Sequence, residues 1–382
     1  VNNILFVTTS DLSGTLGHNI ATREVVAALC RHPDLRVSVI CPSPLRTMPE
    51  EIQYDIAKFY FLPQQLDGSI RTRFETQTKM LVKIHRAIQE MDPDAVVSRH
   101  SPTMISAPVG TTMYGLPYIL LVRGLSHEDL KFSTILRLLF HINVRAADEV
   151  YAAFKEIKQR TDTIRRPEQA ETNLFANAVN PANFKTDDLE TSRRGLDFDI
   201  DPSEFVVGFV GSLEAYHKVD HLILATAEFD DVSVIIVGDG PQRKRLEELV
   251  AEEGLTDRIR FTGYIDHDRI DEYIAACDVM YGVIAPDHPG NAIKCYEYLI
   301  CERPVITDSR EAFEFVGEIG AGLTIDSTEV DDVAKAITEL KERPRTELLE
   351  MGRRGHDYVA ANHTWDQLAD SIATDIEQLI DK

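Results

Sequence analysis

Residues 205–226 read FVVGFVGSLEAYHKVDHLILAT, and this stretch decides the fold class. Phe205–Val210 is a short, continuous apolar run, the mark of a strand buried on both faces. It ends in Gly211-Ser212-Leu213. Lys218-Val219-Asp220 then leads into a helical pattern. Strand, glycine-bearing loop and helix form the repeating unit of α/β proteins with parallel sheets.

The same alternation extends in both directions. Upstream, strands are expected at Ile4–Thr8, Val37–Cys41, Ala95–Ser98, Tyr118–Val122 and Glu149–Ala152, with helices such as Asn19–Cys30 and Lys79–Gln89 between them. Downstream, strands are expected at Val232–Val237, Arg258–Thr262, Val279–Val283, Pro304–Thr307 and Leu323–Ile325. Helices are expected at Gln242–Glu252, Arg269–Cys277, Ala292–Ile300 and Val330–Lys341. Each half reads as a complete doubly wound unit. Turn chemistry and acidic polar stretches near residues 180–204 mark the join. The expected organisation is therefore a first domain over 1–182, a second over 183–358, and a helix in 359–382 that packs back toward the first. Thr364 is placed to cap that helix, and Trp365, Leu368, Ile372, Ile376 and Leu379 form its apolar stripe.

Composition narrows the class. A length of 382 residues suits two cores better than one. No apolar run approaches the roughly 20 residues of a membrane span. No signal-peptide pattern precedes Ile4, and a cytoplasmic protein is expected. The five cysteines are odd in number and none has C-x-x-C spacing, which argues against a disulfide framework or a zinc site. Net charge is −23, and it is unevenly spread. Residues 1–182 hold 20 Lys+Arg against 19 Asp+Glu, whereas residues 183–382 hold 20 against 44. Acid-rich, lysine-poor surfaces suit concentrated salt, where self-repulsion is screened. The near-neutral first half then either faces something anionic or is an accident of surface composition.

In open parallel sheets, ligands bind at the carboxyl ends of strands. Four such loops carry possible chemistry. Thr8–His18 contains Gly14 and Gly17 before a helix start; it reads as an anion site or as an ordinary connection. Gly211-Ser212 with Lys218 suits a diphosphate, the glycine clearing space and the lysine supplying charge. Gly238-Asp239-Gly240-Pro241 is a tight bend that structure alone could require. The fourth is the stretch Ala285–Tyr298. A helix opening near Asn291 would turn the amides of Ala292 and Ile293 toward an anion. Lys294 and Glu297 share one side of that helix. A cation near phosphate and a carboxylate for ribose hydroxyls make a nucleotide clamp. A solvated Lys–Glu pair is the plain alternative.

Taken together, these motifs resemble the GT-B glycosyltransferases, specifically the retaining family 4 (glycosyl transferases group 1), over nearly the whole chain. Asn177-Ala178-Val179-Asn180 with Phe184 resembles the family's interdomain element. Gly211-Ser212-Leu213…Lys218 resembles its phosphate element, with Ser212 where arginine is frequent and Val219 where glycine is usual. Gly238–Pro241, Phe261-Thr262-Gly263, Ala276–Val279, Gly320–Leu323 and Trp365 follow in order. Of the family's two glutamates, Glu297 matches the second, while Pro289 stands at the first. Asn291–Tyr298 resembles a one-glutamate variant that places a lysine at Lys294.

The resemblance implies two Rossmann-like doubly wound domains facing across a cleft. It implies transfer of a sugar from a nucleoside-diphosphate sugar to an acceptor hydroxyl, retaining configuration, without a metal or other cofactor. Cell-surface glycan or glycolipid synthesis is a compatible setting. Donor contacts are expected from Gly14, Gly211, Ser212, Lys218, Gly238, Gly240, Asn291, Ala292, Lys294 and Glu297. Arg123, His100 and His127 lie at strand ends where relatives hold acceptor- and sugar-contacting groups, and are the catalytic candidates. The acceptor would be a glycan or a lipid-linked molecule, with no nucleic acid involved. Residues 131–166 hold eight Lys+Arg against four Asp+Glu around an apolar run. They read either as an ordinary buried helix with basic edges or as a contact with an anionic membrane at its inner face. Two other classes share the architecture: a sugar-nucleotide epimerase and a catalytically silent partner subunit of a transferase.

Overall fold

The computed structural model describes the chain outside residues 49–51, 53–54, 65–68, 125–133, 186–187, 202, 287, 289–292 and 382. The chain forms two compact units. Unit 1 comprises Val1–Asn177 and Trp365–Lys382, and unit 2 comprises Ala178–Thr364. The expected boundaries after residues 182 and 358 fall instead after Asn177 and Thr364. The cause is local pairing. The Val179 amide donates to the His363 carbonyl at 3.0 Å, and Val179 bridges to Thr364. The helix Arg345–Asn362 also packs on Ile293–Ile300, which keeps it in unit 2.

Among the described residues, unit 1 holds a seven-stranded parallel sheet. Its strands are β1 Asn2–Val7, β2 Leu35–Pro42, β3 Lys58–Leu62, β4 Ala95–Arg99, β5 Tyr118–Val122, β6 Glu149–Ala152 and β7 Asn173–Leu174. The order is β3-β2-β1-β4-β5-β6-β7. The edge strands β3 and β7 were not among the expected ones. β3 alternates buried and exposed residues, and β7 is only two residues long, so neither presents a continuous apolar run. The helix Trp365–Ile380 lies against Gly17–Arg31. Arg31 donates to Asp366 at 2.6 Å, and the Tyr151 hydroxyl donates to Asp375 at 2.5 Å.

Unit 2 holds a six-stranded parallel sheet. Its strands are β8 Phe205–Val210, β9 Val232–Val237, β10 Ile259–Gly263, β11 Val279–Tyr281, β12 Val305–Asp308 and β13 Gly322–Ile325. The order is β10-β9-β8-β11-β12-β13. Alternate residues of β8 feed two cores. Phe205, Val207 and Phe209 pack with the helices Val219–Thr226, Arg243–Glu252 and Val330–Lys341. Val206 and Val210 face the helices Ile270–Ala275, Ile293–Ile300 and Glu314–Glu318. Strand order reverses direction at β8, between β9 and β11. That reversal opens a crevice at the carboxyl ends of β8 and β11.

Arg123 holds the point where the chain leaves unit 1 beside the point where it returns. Its guanidinium donates to the carbonyls of Phe175 and Ala176 and to the Asn177 side chain, at 2.5, 2.8 and 2.8 Å. It also lies 5.4 Å from the Trp365 ring centroid. These acceptors occupy the fork of Arg123, the catalytic candidate at this strand end, and give it a packing role here. Arg123→Ala is expected to lower unfolding free energy by about 2–4 kcal/mol. Urea unfolding measures this, and a change within about 0.5 kcal/mol would refute the clamp.

Candidate functional site

Two strand-end loops meet at the β8–β11 crevice of unit 2. The first runs from Gly211 to Lys218 and includes a short 3-10 turn, Ala215–His217. The second follows β11 and leads to the helix Ile293–Ile300. Backbone and side chains tie them. The Ala285 amide donates to the Tyr216 carbonyl at 2.7 Å, and the Tyr216 and His288 rings stack at 3.8 Å. The Tyr298 hydroxyl donates to the Val210 carbonyl at 2.9 Å and accepts from the Val210 amide at 2.8 Å. These bonds set the helix Ile293–Ile300 against the end of β8.

Lys294 and Glu297 do not form a solvated pair. They are 9% and 8% exposed, and each reaches a histidine from a different loop. The Lys294 ammonium stands 3.1 Å from His217 Nδ1 and 4.1 Å from the centre of the Phe209 ring. An ammonium can only donate, so His217 accepts as a neutral ring. Burial first, then the charges of Lys294 and His288, push the His217 pKa far down. Burial also lowers Lys294 to about 7. Three residues further along the helix, Glu297 Oε1 lies 2.8 Å from His267 Nε2. His267 belongs to the 3-10 turn His267–Arg269 that follows β10.

Two glycines make the approach possible. Gly211 has φ 150°, and a Cβ there would come within 2.9 Å of the Lys294 ammonium. The absence of a side chain brings the ammonium directly over the strand end. Gly238 has φ 128°, and its added Cβ would lie 2.0 Å from the Gly211 carbonyl oxygen. Gly240 is similarly pressed, its added Cβ 2.6 Å from the Leu213 nitrogen. Gly238 and Gly240 thus serve backbone packing behind the first loop, and through it the shape of the site.

The remaining expected residues are dispersed. Ser212 is exposed beside Gly211. Lys218 is half-buried with a left-handed φ of 50°, just before the helix Val219–Thr226. Asn291, Ala292 and His127 lie outside the described residues. Gly14 belongs to unit 1, where its missing side chain makes room for Asn19. His100 follows β4 and packs edge-on against Phe140, ring centres 4.9 Å apart.

Four residues outside the expected set complete the site: His217, His267, Asp308 and Arg310. Asp308 ends β12, pairs with Arg310 and accepts from the Ile284 amide at 2.9 Å. Arg310 donates to the carbonyls of Ile284, Ala285 and His288. Together they pin the loop after β11. The sequence Thr307-Asp308-Ser309-Arg310 after an apolar strand was a usable signal, because carboxylates at strand ends commonly fix neighbouring loops. The arrangement suits an anion. Among the described residues, no carboxylate is bonded to the buried Lys294 cation at the strand end, which meets His217 and the Phe209 ring. A pinned carboxylate lies one turn further along the same helix.

Residues 197–358 match the family model for glycosyl transferases group 1. The chain is 26% identical over 272 residues to 2-deoxystreptamine glucosyltransferase of Streptomyces kanamyceticus, covering 67% of this chain and 69% of that protein. It is 33% identical over 150 residues to a GDP-mannose-dependent alpha-(1-6)-phosphatidylinositol monomannoside mannosyltransferase of Mycobacterium tuberculosis, covering 38% and 39%. Among solved structures it is similar to sucrose-phosphate synthase from Thermosynechococcus elongatus, with TM-score 0.78, 19% identity and 99% of each chain covered. It is also similar to HepE of Anabaena, solved in complex with UDP and glucose, with TM-score 0.75, 19% identity, and 99% and 100% covered. The fold is GT-B, and the chain is a glycosyltransferase with a group 1 domain in unit 2.

The buried lysine carries a stability signature. A base whose folded pKa is depressed binds fewer protons folded than unfolded, so its burden on stability is full below about pH 7 and gone near pH 10.5. Lys294→Met should therefore raise thermal stability, most at pH 6–7 and progressively less toward pH 10. Melting curves across pH read this out; a gain that does not change with pH would refute the assignment.

Proposed function

We propose that this glycosyltransferase moves a sugar from a nucleoside-diphosphate sugar to an acceptor hydroxyl, retaining configuration, and that its donor binds in unit 2 at the β8–β11 crevice. The carrying observation is the buried Lys294 ammonium over Gly211, with Glu297 one turn along the helix. Lys294, Lys218 and loop amides take the diphosphate, whose negative charge grows as it departs. Glu297 takes the ribose hydroxyls, and His267 positions its carboxylate. HepE, similar in fold, has been solved with UDP-glucose, which makes a uridine diphosphate sugar the first donor to test. The acceptors in the relatives' names, 2-deoxystreptamine and a phosphatidylinositol monomannoside, support a hydroxyl acceptor within glycan or glycolipid synthesis.

The burial of Lys294 gives this reading a pH dependence. With its pKa near 7 in the free protein, Lys294 is largely neutral above that pH. An arriving diphosphate favours the charged form, so binding should take up a proton and weaken as pH rises from 7 to about 9. Titration calorimetry of UDP-glucose in two buffers of different ionisation enthalpy measures the uptake. Lys294→Ala and Glu297→Gln should each weaken binding by about tenfold or more. His267→Gln, which leaves the carboxylate but replaces the ring that positions it, should cost less. Unchanged affinity in both the Lys294 and Glu297 variants would sink the proposal.

A further inference from the structure

In unit 1, three helices lie side by side: Ile70–Met91, Ser106–Tyr114 and Thr134–Ala146. Their inward residues, including Met80, Ile84, Ala107, Phe140 and Val144, enter one core with the sheet. Their outward sides are unusual for a face turned to water. Val82, Met113, Ile135, Leu138 and Ile142 are between 38% and 68% exposed. In the third helix, Ile135, Leu138 and Ile142 recur at i, i+3 and i+7, a second apolar stripe on the side away from Leu136, Phe140 and Val144. A helix packed on a domain needs only one such stripe.

The charge on these helices is equally distinctive. They carry seven of the chain's 40 Lys+Arg and only two of its 63 Asp+Glu, Glu75 and Glu90. Glu90 is paired with Lys58 and Arg86. On the first helix, Lys79, Lys83 and Arg86 flank Val82 at helical spacing. On the third, His141 is pushed down from its usual pKa by burial and then by the guanidiniums of Arg145, Arg160 and Arg137. A local excess of cations therefore surrounds the apolar side chains in a chain whose net charge is −23. The basic count over 131–166 overstates the later part of this surface. Arg165 donates to the carbonyls of Ala170 and Asp148, and Lys158 pairs with Asp162 and Glu171.

We propose that the outer face of these three helices docks on an anionic lipid bilayer, with Val82, Met113, Ile135, Leu138 and Ile142 entering the interface between flanking Lys and Arg side chains. Charge complementarity selects this occupant. A second copy meeting the same face would oppose cation to cation. Apolar side chains spread over the backs of three helices suit a fluid surface, into which each enters separately. Among the described residues no helix is long and apolar enough to cross a membrane, and the proposed contact has these helices lying on the interface. It is independent of the donor site, and its readout requires no sugar transfer.

The test is flotation of the full chain with vesicles. Binding is expected to phosphatidylcholine vesicles containing phosphatidylglycerol and not to phosphatidylcholine alone, and to weaken as salt is raised. Ile135→Glu combined with Leu138→Glu should lower partition by about tenfold or more. Both residues are exposed, so the circular dichroism and melting midpoint should be unchanged. Leu349→Glu, an exposed apolar position of unit 2, should bind as the parent does. Failure to float with the anionic vesicles overturns the proposal, as does equal flotation of the double variant. Light scattering that shows a dimer abolished by the same double substitution would assign the face to self-association instead.

Discussion

A buried ammonium sets the terms for the site in unit 2. Lys294 has lost most of its water, and what replaces it is a neutral imidazole, an aromatic face and the bare backbone of Gly211. These partners tolerate a cation without neutralising it. Removing a charge from water costs far more than one neutral hydrogen bond returns, which is why burial drags Lys294 toward neutrality. The surrounding elements serve this position. Tyr298 locks the helix to β8, Gly238 lets the neighbouring loop close behind Gly211, and Asp308 with Arg310 holds the adjoining loop. The site is therefore most stable electrostatically when an anion completes it.

Much of this was legible in the sequence. The β8 strand and its Gly211 break follow from a run of apolar residues ended by small ones. Lys294 and Glu297 follow from helical spacing alone. The partners were hidden because nothing local marks them. His217 lies 77 residues before Lys294, and His267 lies 30 before Glu297. Each joins the site only once the sheet order is known. Arg123 could not be read from its position alone. An arginine at a strand end looks the same whether its fork meets a substrate or the carbonyls of Phe175 and Ala176. Side-chain hydrogen bonds, not strand position, separate the two. The domain boundary shifted for a similar cause, since the Val179–His363 bond joins residues no sequence pattern pairs.

The charge asymmetry takes on a physical meaning from the two units. The acidic half of the sequence contains the crevice proposed to take the donor diphosphate, so attraction there would come from groups at short range, where screening is weak and desolvation amplifies each charge. The three-helix surface of unit 1 works the other way. Its cations are solvated and spread out, so their effect is long in range and sensitive to salt. The two features would respond to ionic strength to very different degrees, the crevice little and the helix surface strongly, although both are proposed to meet negative partners.

The composition of unit 1 from two separated stretches has a consequence for how the molecule is made. Synthesis runs from the amino end, and domains generally acquire structure in the order they emerge. Here the first-made segment cannot be completed when its own strands are finished. The side of Gly17–Arg31 that packs on Trp365–Ile380, and the ring site beneath the Arg123 guanidinium, wait for residues made after Ala178–Thr364. Ala178–Thr364, in contrast, is one uninterrupted stretch. The nascent chain thus carries an unfinished unit through the whole production of the other one. Unit 1 is therefore closed only when Trp365–Ile380, made after the whole of Ala178–Thr364, packs back on it.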